Sequence, residues 1–143
     1  MSKGNTFEND LLKLIFNATA IANMADNAAS SPLTNLYVSL HTADPGEAGD
    51  QSTSEIAYTG YARVAVARTS GGWTVTANSV SPVSDVTFGA MTAGAGGTVT
   101  HFGVGTASSG GGKLLYSGTY TPNQIIGNGV TPLLKSTSTI TED

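Results

Sequence analysis

The sequence predicts a mainly β protein, an antiparallel sandwich or barrel preceded by one N-terminal helix. Three observations lead there. Charged residues make up 11% of the 143-residue chain, far below the roughly 25% of an ordinary globular domain. Glycine is abundant at 18 residues, and Ser and Thr are frequent, which suits short strands joined by tight turns. The hydrophobic period also changes along the chain, from near 3.6 residues before Pro32 to 2 after it.

The length suits one domain over residues 1–143, which is enough chain to bury roughly two-thirds of its unfolded surface without a staple. Hydrophobic residues at 39% argue against disorder. With no cysteine, a disulfide framework, a thiolate metal site and a cysteine nucleophile are excluded together.

A helix is expected over residues 6–28. Phe7, Leu11, Leu14, Ile15, Ala18, Ala22 and Ala25 recur at spacings of three and four and share one face. Asn5 or Thr6 is placed to cap it, with Glu8 three residues after Asn5 and Asp10 also in the acidic start. Ser30, Ser31 and Pro32 end it. The opposite face carries Leu12, Phe16, Ile21 and Met24. A helix apolar nearly all round is buried on more than one side, so oligomerisation or docking on a larger assembly is expected.

The β part is expected over residues 34–141. In residues 36–42, Leu36, Val38 and Leu40 alternate with Tyr37, Ser39 and His41, the pattern of a half-buried strand. Residues 43–60 form a long polar loop opened by Asp44-Pro45-Gly46, where Pro presets φ and Gly accepts a positive one. Residues 61–68 return as a strand with Ala62, Val64 and Val66 on one face. Further strands fall at 73–77, 86–89, 98–105, 114–120 and 130–140, separated by glycine-rich turns at 71–72, 94–97 and 108–112. Such spacing indicates a sandwich or barrel. Glu142 and Asp143 are expected to fray.

Several chemistries are weighed against simpler readings. The six basic residues are dispersed and the net charge is -4, so there is no footprint for nucleic acid or an anionic membrane. No apolar run is long enough to span a bilayer, and the first ten residues lack the apolar core of a secretory leader. His41 and His101 are the only histidines. A hydrolase triad needs one beside an oriented hydroxyl, but no strand–turn–helix nucleophile elbow accompanies them, so ordinary strand histidines are expected. Asp44, Glu47, Asp50 and Glu55 share a loop able to gather oxygens round Ca²⁺, yet without EF-hand spacing they read as a solvated acidic loop. Gly103-Val104-Gly105 and residues 110–112 precede no helix and no Lys-Ser/Thr pair, so close-packed strands and turns outweigh a phosphate cradle. The sequon at Asn17 falls inside the expected helix. Tyr37, Tyr58, Tyr61, Trp73, Tyr116 and Tyr120 divide evenly between core roles and a contact platform.

One stretch also carries a resemblance. Leu36-Tyr37-Val38-Ser39-Leu40-His41-Thr42-Ala43-Asp44-Pro45-Gly46, then Gly49, Glu55 and Tyr58-Thr59-Gly60-Tyr61-Ala62-Arg63, resembles a family of small tailed-phage virion proteins. The preceding helix, Trp73 and the segments 86–89 and 101–105 are similar to it as well. That family is loosely labelled tail-fibre-like, and its better-understood members resemble capsid cement, or decoration, proteins with a jelly-roll fold. The resemblance implies a jelly-roll-like sandwich with no cofactor and no catalytic residue. It also implies a place on the capsid exterior, where the protein bridges major capsid protein subunits and associates with itself as a homo-oligomer. Tail or fibre association, a carbohydrate-binding sandwich for host attachment and a hydrolase are the alternatives. Low charge suits interface cores, and an edge strand is a ready place to pair with a neighbour. The loop is expected to reach a neighbouring subunit, with Asp44, Pro45, Glu47, Asp50, Tyr58 and Tyr61 as contact residues.

Overall fold

The computed structural model describes residues 5–21 and 32–142. Among them the chain is mainly β, with antiparallel sheets and a single N-terminal helix, as its composition and period predict. It divides into two compact units. One comprises Met1–Asn35, Val66–Asp85 and Lys135–Asp143, and the other Leu36–Ala65 and Val86–Leu134.

The first unit is built on helix α1 (Asn5–Asn17) and strands β3 (Trp73–Thr76), β4 (Ser79–Pro82) and β9 (Ile140–Thr141). β4 lies between β3 and β9. β3 and β4 form a hairpin that pairs Trp73 with Pro82 and Thr76 with Ser79. Its turn places Ala77 at φ 51°. Sequence reading misses β4, because Ser, Asn and Pro there resemble a turn; Pro82 is tolerated at the strand's last position. Glu142 does not fray: its N–H donates to Asn78 O at 2.8 Å, and Asn78 Nδ2 donates to Glu142 O at 3.0 Å. Asp143 lies outside the described residues.

α1 buries Glu8, Leu12 and Phe16, spaced by four on one stripe. This is not the stripe expected from Phe7, Leu11, Leu14 and Ile15; Phe7 is 40% exposed. The decision lies in packing. Phe16 meets Trp73 edge-on, with ring centroids 4.8 Å apart, and Leu12 and Phe16 are fully enclosed. Each such side chain contributes about 1.5–3 kcal/mol.

The helix also ends earlier than the expected residue 28. Ala18 turns left-handed at φ 53°, and residues 18–20 are not helical; the remainder of the expected helix, from 22 onward, lies outside the described residues. The cause is Arg68. Its Nη2 donates to Leu14 O and its Nε to Ile15 O, both at 2.5 Å. In a continuing helix those carbonyls would accept from Ala18 and Thr19. The guanidinium thus replaces the next turn and places a positive charge at the negative helix end.

The second unit holds most of a four-stranded antiparallel sheet in the order β2-β1-β6-β7, made of β1 (Asn35–His41), β2 (Val64–Ala67), β6 (Gly97–Gly105) and β7 (Leu114–Ile126). The unit boundary cuts through β2. A small sheet pairs β5 (Val86–Thr87) with β8 (Leu133–Leu134). β1 runs against β6 with Ser39 opposite Gly103 and His41 opposite His101. Along β6 and β7 the register jumps between Val99, opposite Gln124, and His101, opposite Thr119. The extra residues there lie on β7, where residues 120–123 face Thr100 alone; on β6, Val99 is buried before the break and Phe102 and Val104 after it.

Arg68→Ala is expected to lower the unfolding free energy by about 1.5–3 kcal/mol, the range for hydrogen bonds to a charged group. Arg68→Lys should recover only part, since an ammonium lacks the planar fork. Urea denaturation of the three proteins checks both.

Candidate functional site

The loop joining β1 to β2 leaves the sheet at Thr42 and returns at Arg63, entirely within the second unit. Its architecture begins with two missing side chains on β6. A Cβ on Gly103 would stand 2.8 Å from both Ser39 Oγ and His41 Nε2, and one on Gly105 would stand 2.2 Å from Gln51 Cδ. The space vacated by these glycines is filled by polar side chains from β1 and the loop together with Leu114 of β7. Ser39, His41 and Gln51 are accordingly all 0% exposed. β1 is therefore buried on both faces from Val38 onward, where simple alternation predicts one buried face.

Buried polar groups must be paired, and these pair with loop backbone. His41 Nδ1 lies 2.8 Å from Thr53 O. A carbonyl only accepts, so Nδ1 carries the proton and Nε2 accepts from Ser39 Oγ at 2.9 Å. Burial lowers the His41 pKa; the Thr53 carbonyl and the Glu55 charge oppose that shift without reversing it. Gln51 Nε2 donates to Tyr37 O at 3.2 Å, and its Oε1 accepts from Ala107 N at 2.9 Å. Thr42 N–H bonds Ser54 O, and Ile56 N–H bonds Leu40 O.

An ion pair extends this anchorage. Arg63 grips Glu55 through Nε and Nη2, both at 2.7 Å, and also donates to Ala107 O and Gly110 O. The fork is well enclosed, with the Arg63 side chain 2% exposed. The Glu55 bond, the leading cause, holds the Arg63 pKa above its usual value. Tyr61 Oη donates to Glu55 Oε1 at 2.8 Å and accepts from Leu40 N at 3.1 Å. Its ring stacks on Phe88 with centroids 6.1 Å apart, and burial drives its phenol far above the ordinary range. Tyr58 is 9% exposed and donates to Gly89 O at 2.9 Å.

The six expected contact residues are therefore placed unequally. Tyr58 and Tyr61 are tied inward, and Pro45 is buried. Asp50 is half-buried, and its Oδ1 accepts from Ser52 N and Oγ; those bonds hold its pKa low. Asp44 and Glu47 remain exposed. Asp44 Oδ1 accepts from Gly46 N at 2.9 Å, closing the proline-glycine turn. Among the described residues no three His, Asp or Glu side chains converge as for a metal ion. Glu55 faces Arg63, and Asp50 serves its own turn.

Between the loop tip and the sheet runs a groove of about 450 Å³. Asp44, Gly46, Glu47 and Gly49 line one wall and Leu114, Leu115, Tyr116 and Ser117 of β7 the other. Sequence reading missed Ser39, Gln51, Arg63 and the β7 wall. The legible signal was the pair of glycines flanking Val104, across from a strand with polar residues at 39 and 41. The partner of Arg63 left no pattern.

A family model described as podophage GP4 fiber I protein gp80 matches residues 2–141. No curated protein matches the chain.

Gly103→Ala should destabilise by about 1–3 kcal/mol, the usual effect of overpacking a filled site, measured by chemical denaturation. His41 gives a pH test. Its folded pKa lies below the ordinary 6.5, so between those values the unfolded chain binds the extra proton. The stability contributed by neutral His41 is present above roughly pH 6.5 and is lost as pH falls towards the folded value. The loss proceeds at up to about 1.4 kcal/mol per pH unit. The melting temperature should fall from pH 7 to pH 5, and His41→Gln should flatten that slope.

Proposed function

The chain belongs to the podophage GP4 fiber I protein gp80 family, a family of phage virion proteins, and from that premise we propose that it is a non-enzymatic, contact-making component of the particle. One observation carries the non-enzymatic reading. Ser39 and His41 form a hydroxyl–imidazole hydrogen bond of the kind a hydrolase uses, yet both residues are fully enclosed. Even a single Cβ at Gly103 would crowd both to 2.8 Å, and the orienting group is a backbone carbonyl. A substrate has no approach to that hydroxyl. The same bonds fix a loop whose outer carboxylates and groove face solvent, which suits recognition by another protein.

The family description supports a place in the fibre. Decoration of the capsid exterior is the second reading. Its support is the resemblance of residues 36–63 to cement-like proteins, and its partners are the major capsid protein and further copies of the chain. In either place, modest contacts multiplied by particle symmetry suffice for firm attachment.

Quantifying the protein in tail-less heads and in fibre-bearing tail fractions separates the two. Enrichment with the tail fraction is expected. High copy number in tail-less heads would transfer the protein to the capsid reading, and absence from purified particles would refute a structural role.

A further inference from the structure

β7 is the longest strand among the described residues, at 13 residues, and it lies at the outside of its sheet with β6 as its sole paired strand. Edge strands carry a row of backbone donors and acceptors open to another chain, and proteins usually blunt them with Lys, Pro or a bulge. Here the main break lies in the middle of β7, between Thr119 and Gln124, with Pro122 inside it; a one-residue irregularity at Leu115 precedes the regular run. The first half, residues 114–119, pairs regularly with β6 from Tyr116 to Thr119 and contains neither Lys nor Pro. Ser117 and Thr119 are exposed.

The start of that half, Leu114–Ser117, is also one wall of the groove whose other wall bears Asp44 and Glu47. Among the described residues no basic side chain lines the groove; Lys113 precedes the strand and lies outside the lining. Of the four loop acids, Glu55 is neutralised by Arg63, so the charge offered to a partner comes from the tip. A second copy of this chain, with net charge -4, brings more negative charge to that tip. A segment with a Lys or Arg is favoured instead.

We propose that the 114–119 edge of β7 takes up an extended segment of a neighbouring virion protein as an added strand, with a basic side chain of that segment in the groove against Asp44 and Glu47. The inference rests on the structural role proposed above and names the chemistry of the partner. Backbone bonds along the edge give affinity, and the acidic groove sets which segment fits.

Hydrogen exchange compares the isolated full-length chain with the chain in intact particles. Alternate amides in 114–119 should exchange readily in the isolated chain and at least tenfold more slowly in the particle. Glu47→Lys should reduce incorporation into particles at least tenfold, while leaving the melting temperature of the isolated chain unchanged. Incorporation without added protection at 114–119 overturns the edge site and leaves the structural role standing, whereas absence of the wild-type chain from particles removes the role itself. Protection that rises with concentration of the isolated chain alone overturns the basic partner in favour of a second copy. Undiminished incorporation of Glu47→Lys overturns the charge recognition.

Discussion

The close approach of β1 and its loop to β6 at Gly103 and Gly105 is the constraint on which the rest of the second unit depends. With no side chain at either position, the inner surface of β6 is open to groups that reach it from β1 and the loop. Those groups are polar. Ser39, His41 and Gln51 enter a fully enclosed space, where an unpaired donor or acceptor costs about 1–3 kcal/mol. Their partners are the carbonyls of Tyr37 and Thr53 and the amide of Ala107. A segment that reads as a solvated loop is thereby turned into part of the core, because the satisfaction of buried groups requires its backbone to stay in place.

The Glu55–Arg63 pair belongs to the same logic. An enclosed guanidinium is tolerated only with its donors occupied, and Arg63 is occupied by one carboxylate and two carbonyls. Through Ala107 and Gly110 it holds the turn between β6 and β7, and through Glu55 it holds the returning half of the loop. Tyr61 joins both to the backbone of Leu40. What remains outside is the short tip around Asp44 and Glu47, held at each end by bonds to the sheet. A recognition surface on such a tip loses little entropy when a partner arrives, since its backbone is already ordered. The division of the loop acids follows: Glu55 is neutralised, Asp50 serves its own turn, and Asp44, which also closes the proline-glycine turn, faces outward with Glu47 beside β7.

Much of the strand framework was legible because alternation is a local property. β1, β3 and β6 fall close to where their periodicity places them, and the Asp44-Pro45-Gly46 turn follows from the φ preferences of Pro and Gly. The failures share one character. The buried stripe of α1 is chosen by Trp73, and its end is set by Arg68, residues far along the chain with no imprint on the helix's own pattern. β4 was missed because its identity comes from lying between β3 and β9. The second half of β7 was missed because Thr-Pro-Asn reads as a stop, whereas the chain bulges there and resumes pairing at Gln124.

By itself the sequence determined the class of fold, the helix followed by antiparallel strands, and the likeness to phage virion proteins. It could do so because composition, period and turn chemistry act between near neighbours. Only the tertiary structure decided that His41 and Ser39 are sealed anchors, that Tyr58 and Tyr61 face inward, and that Asp44 and Glu47 stand beside the β7 edge. Each of those outcomes turns on which distant backbone fills a space or accepts a proton. The missing side chains at Gly103 and Gly105 create that space, and pairwise packing across the sheet determines what enters it.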